Sequence, residues 1–417
     1  MNNSFGNIKQ KDIFLNVIMF ALLYLTSAFA NFFSNTSVLV LLIVIGLFLI
    51  SINKFDMNLK NDTVILILMI FINITITTIL RGDDIKQLLL WIIFIFVSIA
   101  IVTVVRGDRL LNCYVHTIYF LCIAALALWL AFLLVPSVVE RLPIVTNQNN
   151  YSAYTIIVAT IYKAGNVEIA RNQGIFWEPG AFQTFINIAL IITLFYNKLI
   201  INKKKYTTVF VLTVITTFST AGYLVMSLII ITYIIYCISS RSVVRAEIKI
   251  ALVLMIALFV FLFAYQNMPD NIKYQLFGKV TAYFDGGYNA NSSSTGTRLN
   301  SIVMSFKAFL SSPVFGCGVN DMENITEQFG SSIGTCTPLN WFSYYGIIMG
   351  VSMNLGLWKF SKEFRTNKLV NILLFLSIIF SISSENYWRN PSILIFILMG
   401  YQGFNYGKES KNADFAD

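Results

Sequence analysis

Long apolar runs separated by short polar stretches make up most of this chain. Helical runs of roughly 17–25 residues are long enough to cross about 30 Å of hydrocarbon. The pattern predicts an all-α polytopic membrane protein, a single integral membrane domain over residues 1–417, with about twelve transmembrane helices. The predicted spans are about 13–30, 38–52, 63–80, 88–105, 113–135, 180–197, 206–219, 221–238, 248–265, 339–357, 369–383 and 392–407.

Two stretches need separate interpretation. The stretch 206–238 is too long for one helix, and basic residues flank both of its ends. Basic flanks on the same side of the membrane require a helical hairpin, with a turn predicted at Ser219–Gly222. The run 151–162 is too short to span the membrane, and we predict that it lies in the interface or re-enters the membrane.

The composition excludes an ordinary soluble domain. Hydrophobic residues make up 57% of the chain and charged residues 12%, whereas soluble domains carry about 25% charged residues. No small-residue cleavage site follows the first apolar run, so we predict a retained span and no signal peptide. The net charge of +9 would suit nucleic acid, but the basic residues lie between apolar runs. We therefore predict that they control topology and expect no nucleic-acid partner.

The distribution of basic residues predicts the orientation. With the N-terminus inside, the predicted inner segments hold 19 of the 29 Lys and Arg residues. By the positive-inside rule, both termini are then cytoplasmic. The two longest loops, 136–179 and 266–338, lie outside in this layout, and the inner loops only connect spans. Because long ordered loops are usually functional, we expect the site on the outer face.

The first outer loop ends in a segment that carries both charge signs, from Arg171 to Glu178 and Pro179. Pro179 suits the first turn of the following helix, and Glu178 would lie at the positive end of that helix dipole. A simple helix start therefore explains Glu178. An Arg–Glu pair beside a substrate at the membrane surface explains it equally well.

The second outer loop contains an amphipathic helical pattern from Thr297 to Leu310. Thr297 suits the N-cap, and Pro313 ends the pattern. We predict a helix lying flat on the outer surface. It serves either as a lid or as the support of Arg298, which would reach a phosphate.

The last outer loop is short and holds Glu385, Tyr387, Trp388 and Arg389. The aromatic residues suit interfacial anchors, and Glu385 with Arg389 suits a salt bridge at a helix end. Across the three loops, Arg171, Arg298 and Arg389 share the outer face. The planar guanidinium binds phosphate oxygens in pairs, so these arginines are candidates for a lipid-linked pyrophosphate at headgroup depth.

The other reactive residue types predict little chemistry. His116, the only histidine, falls near the inner end of a span, and we expect it to be dispensable. Cys113, Cys122 and Cys237 suit packing positions. Cys317 and Cys336 share one outer loop, where a disulfide is one alternative and two buried free thiols the other. The absence of metal-ligand spacing and of a phosphate-cradling glycine loop predicts neither metal nor nucleotide cofactor.

Several of these segments resemble the O-antigen polymerase and ligase superfamily. Arg171-x-x-Gly-Ile-Phe-x-Glu-Pro179 is similar to a segment of the polymerase branch. Thr217–Gly222 resembles a degraded form of the family's Thr-x-Ser-Arg-Gly turn. Arg298, then Pro313 to Gly318, then Gly346 to Gly350 resemble the long-loop pattern, which runs from an arginine through Pro-x-x-Gly-x-Gly to a Gly-Ile-x-Gly membrane entry.

Two departures favour the polymerase branch over the ligase branch. The ligase branch has His-Asn just before the membrane entry, whereas this chain has Leu339-Asn340 there. The arginine of the hairpin turn is also missing. The resemblance implies a GT-C-like architecture and a metal-independent glycosyltransferase in the bacterial cytoplasmic membrane. Its substrate would be an undecaprenyl-pyrophosphate-linked oligosaccharide, and a flippase and a chain-length regulator are implied partners.

The resemblance suggests roles for the outer residues. Arg171, Arg298 and Arg389 would bind the pyrophosphate, and Glu178 or Glu385 would orient or deprotonate the acceptor hydroxyl. We predict that these residues line one outward-facing cavity. An O-antigen ligase and a lipid-linked oligosaccharide flippase are the alternatives, and a flippase would need charged residues along a cavity at the membrane midplane.

The charge distribution generates the first testable prediction. A topology reporter fused at Lys204 should report the cytoplasm, because three lysines precede the predicted hairpin. The same reporter at Asn291, in the loop 266–338, should report the outer compartment. Phosphatase and fluorescent-protein fusions measure the two sides independently, and the reverse result at either site contradicts the layout.

Overall fold

The computed structural model describes residues 2–29, 35–52, 58–105, 107–146, 152–162, 171–199, 201–239, 294–328 and 334–404. The chain divides into two compact units. Unit 1 comprises residues 1–32, 112–287 and 365–381, and unit 2 comprises residues 33–111, 288–364 and 382–417. The single domain over 1–417 stays a prediction. The predicted span 248–265 and most of the loop 266–338 lie outside the described residues.

Helices dominate both units. Unit 1 contains α1 (Asn2–Ser27), most of α5 (Gly107–Leu134), α6 (Pro136–Val139), α7 (Pro179–Phe195), α8 (Lys203–Thr216), α9 (Thr220–Ser239) and most of α13 (Lys368–Ile382). Unit 2 contains α2 (Asn35–Ile52), α3 (Asn61–Arg81), α4 (Ile85–Val104), α10 (Ser294–Ser311), α11 (Gly318–Gln328), α12 (Thr337–Lys362) and α14 (Pro391–Gln402). Every predicted span within the described residues coincides with a helix.

Length and hydropathy identify the strongest membrane spans. Among the described residues, four helices are long and apolar enough to cross a membrane, namely α3, α4, α5 and α9. Shorter apolar helical segments are Ile13–Ser27, Thr36–Ile52, Pro179–Phe195, Lys368–Ile382 and Pro391–Gln402. A mostly helical, multi-pass membrane protein is therefore confirmed, whereas the number twelve and the orientation stay predictions.

Helix α7 forms the core of unit 1. All 17 of its residues are buried, and it packs against α8 and α9. Tyr114 of α5 donates a hydrogen bond to the Phe185 carbonyl of α7 at 2.8 Å. A membrane helix without a lipid-facing side is surrounded by protein, which explains how α7 accommodates the buried polar residues Gln183, Thr184 and Asn187.

The predicted hairpin of 206–238 is confirmed. Helix α8 ends at Thr216 and α9 begins at Thr220. The turn therefore occupies residues 217–219, two residues earlier than predicted, and it places Phe218 in the left-handed region with φ of 47°. A bulky residue is uncommon there, so contacts around the turn must hold it in place.

The location predicted for the run 151–162, in the interface or re-entering the membrane, stays a prediction. These residues form two strands of an antiparallel sheet with the order β1-β2-β3, comprising Ile144–Thr146, Ser152–Thr155 and Thr160–Tyr162. Val145 is opposite Ala153, and Tyr154 is opposite Ile161. Alternating aromatic and β-branched residues favour strands, and the pairing satisfies backbone groups that a twelve-residue interfacial segment would leave to water.

The amphipathic helix of the second outer loop is confirmed in type and corrected in extent. Helix α10 begins at Ser294, so Thr297 lies inside the helix and is not its N-cap. It ends at Ser311, two residues before Pro313, as predicted. The helix packs against α12 and α11 within unit 2.

Helix α12 is broken at Gly346, the membrane-entry glycine of the family pattern. Gly346 has φ of 78° and ψ of −170°, inside an otherwise helical segment. The segment Pro313–Cys317 crosses this break, because Ile347 N–H donates to the Pro313 carbonyl at 2.8 Å and Cys317 N–H donates to the Ser343 carbonyl at 2.8 Å. The loop thereby satisfies backbone groups that the break removes from the helix.

The break generates a stability prediction. A Cβ at Gly346 would overlap the Val314 carbonyl, and the positive φ disfavours any side chain there. Gly82 is the matched control, since its φ is 64° but no atom lies within 4 Å of the added Cβ. We expect G82A to lower the free energy of unfolding by about 1–2 kcal/mol through backbone strain. We expect G346A to lower it by about 1–3 kcal/mol more through overpacking, measured by detergent-titrated unfolding. Equal losses would contradict the proposed contact with the loop.

Candidate active site

Arg171 in unit 1 binds the turn of the helical hairpin. Its Nε donates to the Thr217 carbonyl at 3.1 Å, and its Nη2 donates to the Phe218 carbonyl at 2.9 Å. Asn172 adds a backbone bond to the Thr216 carbonyl and a side-chain bond to Thr216 Oγ1, both at 3.0 Å. The two segments of the family pattern, Arg171–Pro179 and Thr217–Gly222, are therefore in direct contact. Arg171 stabilises the left-handed turn at Phe218.

The β-sheet fixes the same segment from its other side. Thr160 N–H donates to the Gly174 carbonyl at 2.6 Å, and Gln173 Nε2 donates to Thr160 Oγ1 at 2.9 Å. Phe29 N–H donates to the Ile175 carbonyl at 2.7 Å. The strand pairing thus sets the position of the residues that lead into Glu178.

Glu178 takes the N-cap position of α7, and Pro179 occupies the first turn, as predicted. The Glu178 backbone is extended, with φ of −157° and ψ of 162°, and its carbonyl accepts from Ala181 N–H and Phe182 N–H. Its half-buried carboxylate makes no capping hydrogen bond. This geometry fits an acid at the positive end of a helix dipole. A role beside a substrate stays a prediction.

Arg389 in unit 2 lies on one face of Trp388, with its guanidinium carbon 4.8 Å from the ring centroid. Its Nη1 donates to Gln87 Oε1. The Trp388 ring stacks on Tyr344 at 4.5 Å with an interplanar angle of 13°. Trp341 Nε1 donates to the Trp388 carbonyl at 2.6 Å. The stacked rings of Trp388 and Tyr344 therefore orient Arg389, and the hydrogen bond from Trp341 holds Trp388 in place.

The electrostatic surroundings of Arg389 combine partial burial with nearby oxygens. Burial lowers the pKa of Arg389, and Tyr345, Tyr344 and Glu323 oppose that shift. An arginine side chain nevertheless stays charged in proteins. Gln87 takes one of its five N–H donors, and the other four have no hydrogen-bond partner within the part of the chain that the structure describes. The group is therefore available to an anion.

Glu385 belongs to the same loop and is buried, with 6% of its surface exposed. Its carbonyl accepts from Thr337 Oγ1 at 2.6 Å, and Thr337 Oγ1 accepts from Tyr387 N–H at 2.6 Å. These bonds fasten the loop 383–391 to the first turn of α12. Glu385 is thus held in a buried loop, and its role as an acid at a substrate stays a prediction.

The remaining candidates divide between the two units. Arg298 lies in the first turns of α10, and its side chain is outside the described residues. Glu385 and Arg389 share one loop of unit 2, whereas Arg171 and Glu178 share one segment of unit 1. The cavity lined by all five residues stays a prediction.

Sequence analysis missed several residues around Arg389. Gln87, its hydrogen-bond partner, lies in the first turn of α4. Asn340 accepts from Ser305 Oγ at 2.9 Å and donates to the Gly334 carbonyl at 2.9 Å and to Asn386 Oδ1 at 3.2 Å. The charged connection Arg81-Gly-Asp-Asp84, between two predicted spans, was the available signal.

The histidine and metal predictions have separate outcomes. His116 Nδ1 is hydrogen-bonded to Tyr206 Oη at 2.6 Å, between α5 and α8 of unit 1. Its dispensability stays a prediction. Among the described residues, no group of three His, Cys, Asp or Glu side chains could hold a metal ion.

Of the two alternatives for Cys317 and Cys336, the structure has the two free, buried thiols and no disulfide between them. Cys317 lies beside Ser343, to whose carbonyl its Sγ donates at 3.2 Å. Cys336 is the N-cap of α12, seven residues earlier. Seven helical residues rise by about 10 Å, and a disulfide needs Cα atoms roughly 4.4–6.8 Å apart. The sequence separation of the two cysteines gave no indication of this offset along α12.

Comparison with known proteins agrees with the resemblance. A family model described as O-antigen ligase matches residues 206–358. The match includes the hairpin α8–α9, α10, α11 and most of α12. It is consistent with the O-antigen polymerase/ligase superfamily and supports a membrane enzyme of the ligase or polymerase type. No curated protein matches the chain.

The cysteine geometry generates a labelling prediction. Burial raises the pKa of the Cys317 thiol to about 12 and also raises the pKa of Cys336. Both groups are therefore protonated near neutral pH, and the thiolate is the reactive form. We expect both cysteines to react with iodoacetamide far more slowly in the native protein than after unfolding, as measured by peptide mass mapping. Recovery of a peptide linked through Cys317 and Cys336 would contradict the structure.

Proposed function

We propose that this chain is a polysaccharide polymerase that joins lipid-linked repeat units at the outer face of the bacterial cytoplasmic membrane. The observation that carries the proposal is Arg389. It is fixed by Trp388 and Gln87 and keeps four N–H donors for a ligand, within the described residues. A preoriented guanidinium suits a pyrophosphate, which needs several charge-assisted hydrogen bonds at once. The family match supports the same substrate class.

The proposed reaction is a glycosyl transfer. A hydroxyl of the acceptor unit attacks the anomeric carbon of the growing chain and forms the new C–O bond. The bond from that carbon to undecaprenyl pyrophosphate breaks, and its electron pair stays on the leaving oxygen. Arg171, Arg298 and Arg389 stabilise the negative charge on the pyrophosphate. Glu178 or Glu385 accepts the proton of the acceptor hydroxyl.

The ligase is the nearest alternative. The family's ligase branch has a histidine before the membrane entry, and this chain has Leu339 there, in the first turn of α12. The next residue, Asn340, uses its amide in hydrogen bonds to neighbouring segments. A polymerase that relies on carboxylates fits this arrangement better than a ligase that relies on histidine.

The flippase alternative requires charged groups along a midplane cavity. None of the predicted spans within the described residues contains Asp, Glu, Lys or Arg. The buried polar residues in these spans are neutral, and Gln183 and Asn187 bond to each other at 2.8 Å. This distribution supports chemistry at the membrane surface over transport of a charged lipid.

The test uses purified protein in nanodiscs with lipid-linked repeat units, without ATP and with EDTA. A ladder of longer glycans on the lipid supports a metal-independent polymerase. A single transfer of glycan to a second, non-identical acceptor would indicate a ligase. Movement of the lipid across the bilayer without new glycosidic bonds would indicate a flippase.

Arg389 provides the corresponding mutational prediction. We expect R389A to lower the polymerisation rate ten- to hundredfold, because one charge-assisted contact contributes roughly 1.5–3 kcal/mol. R389K should restore only part of the rate, since an ammonium cannot reproduce the planar fork. Arg141 is the control, because it is exposed and lies in the first predicted outer loop, 136–179. Normal activity of R389A in correctly inserted protein would exclude this site.

A further inference from the structure

The outer end of α3 binds the loop that crosses the break in α12. Thr77 Oγ1 donates to the Phe315 carbonyl at 2.8 Å, and Arg81 Nε donates to the Gly316 carbonyl at 2.9 Å. Arg81 Nη2 also donates to Ser312 Oγ. We call Thr77, Arg81 and Asp83 the α3 clamp. All of its partners belong to unit 2.

Asp83 completes the α3 clamp at the start of α11. Val319 N–H donates to both carboxylate oxygens, at 3.1 and 2.9 Å, and Asn320 N–H donates to Oδ1 at 3.0 Å. The carboxylate is buried, with 8% of Asp83 exposed. It satisfies N–H groups that a helix start leaves without intrahelical partners, and its charge suits the positive end of α11.

Direct contacts connect this loop to Arg389. The clamped residue Gly316 precedes Cys317, which bonds to the Ser343 carbonyl of α12. The neighbouring residue Tyr344 stacks on Trp388, and the guanidinium of Arg389 lies over the Trp388 ring. A shift of the loop would therefore displace the stack that orients the arginine.

We propose that Arg81 and Asp83 are positioning residues of the glycosyl transfer, which set the orientation of Arg389 through the loop Ser312–Asn320 and Tyr344. This inference rests on the proposed function. Misplacement of a catalytic group by about 1 Å is enough to lower a rate a hundredfold. The buried carboxylate of Asp83 and the exposed guanidinium of Arg81, at the end of α3, both bond to the loop and hold it more rigidly than apolar packing alone.

Asp84 provides a matched control one residue away. Its Oδ1 accepts from Lys86 N–H at 2.9 Å, and it caps α4 as an ordinary exposed N-cap residue. Asp84 makes no hydrogen bond to the loop Ser312–Asn320 in the described residues. D84A therefore removes the same functional group and a helix cap, but leaves the α3 clamp intact.

The experiment compares D83A, D83N, R81K and D84A with wild type in two measurements. The first is the iodoacetamide labelling rate of Cys317, which the clamped loop buries to 4% exposure. The second is kcat and KM for lipid-linked repeat units, normalised to correctly folded protein. We expect D83A to raise the labelling rate at least tenfold and to lower kcat at least tenfold. D83N and R81K should give intermediate values, and D84A should match wild type.

The possible outcomes are distinguishable. Faster labelling with unchanged kcat would make the α3 clamp purely structural and would overturn the proposal. Unchanged labelling and unchanged kcat in D83A would overturn it as well, and so would equal effects of D83A and D84A. If D83A does not fold, D83N and R81K decide between the same results. Wild-type protein that forms no glycan ladder would instead overturn the proposed function.

Discussion

The structure depends on the requirement that backbone polar groups be satisfied in an environment that offers little water. An unbroken helix meets this requirement by itself, but a break or a tight hairpin turn does not. At Gly346 the chain solves the problem with a second segment, since the loop around Gly316 supplies partners to the broken helix. At residues 217–219 it solves the problem with a side chain, because Arg171 donates to two carbonyls of the turn.

Arginine serves the same purpose in both units. Arg171 binds carbonyls of the hairpin turn in unit 1, and Arg81 binds the Gly316 carbonyl in unit 2. A guanidinium has five donors in a fixed plane, so it can satisfy backbone carbonyls and still bind an anion. Structural and catalytic interpretations of an outer arginine are therefore compatible. Arg389 differs from the other two because an aromatic ring and a glutamine hold it, and among the described residues no backbone carbonyl accepts a hydrogen bond from it.

Sequence patterns predicted the elements of this fold better than their contacts. The lengths of the apolar runs identified the helices, and the basic flanks identified the hairpin, because both signals are local in the sequence. The strands at 152–162 were missed, since a short run of apolar residues fits several environments. Asp83 and Val319 are 236 residues apart, and no local pattern indicates that one caps the helix of the other. The two alternatives for Cys317 and Cys336 stayed open for the same reason, because sequence separation does not measure position along α12.

The proposed glycosyl transfer needs a proton acceptor, and the first turn of α12 contains no suitable group. At the membrane entry this chain has Leu339, which cannot accept a proton, and Asn340, which accepts from Ser305 and donates to two neighbours. An amide is also a poor base. The Thr337 hydroxyl is hydrogen-bonded to the Glu385 carbonyl and the Tyr387 N–H of the loop 383–391. The first turn of α12 therefore serves as a structural junction, and in the proposed reaction the base would be a carboxylate from another segment. Glu178 is the more accessible of the two proposed carboxylates, because it is half-buried whereas Glu385 is 6% exposed.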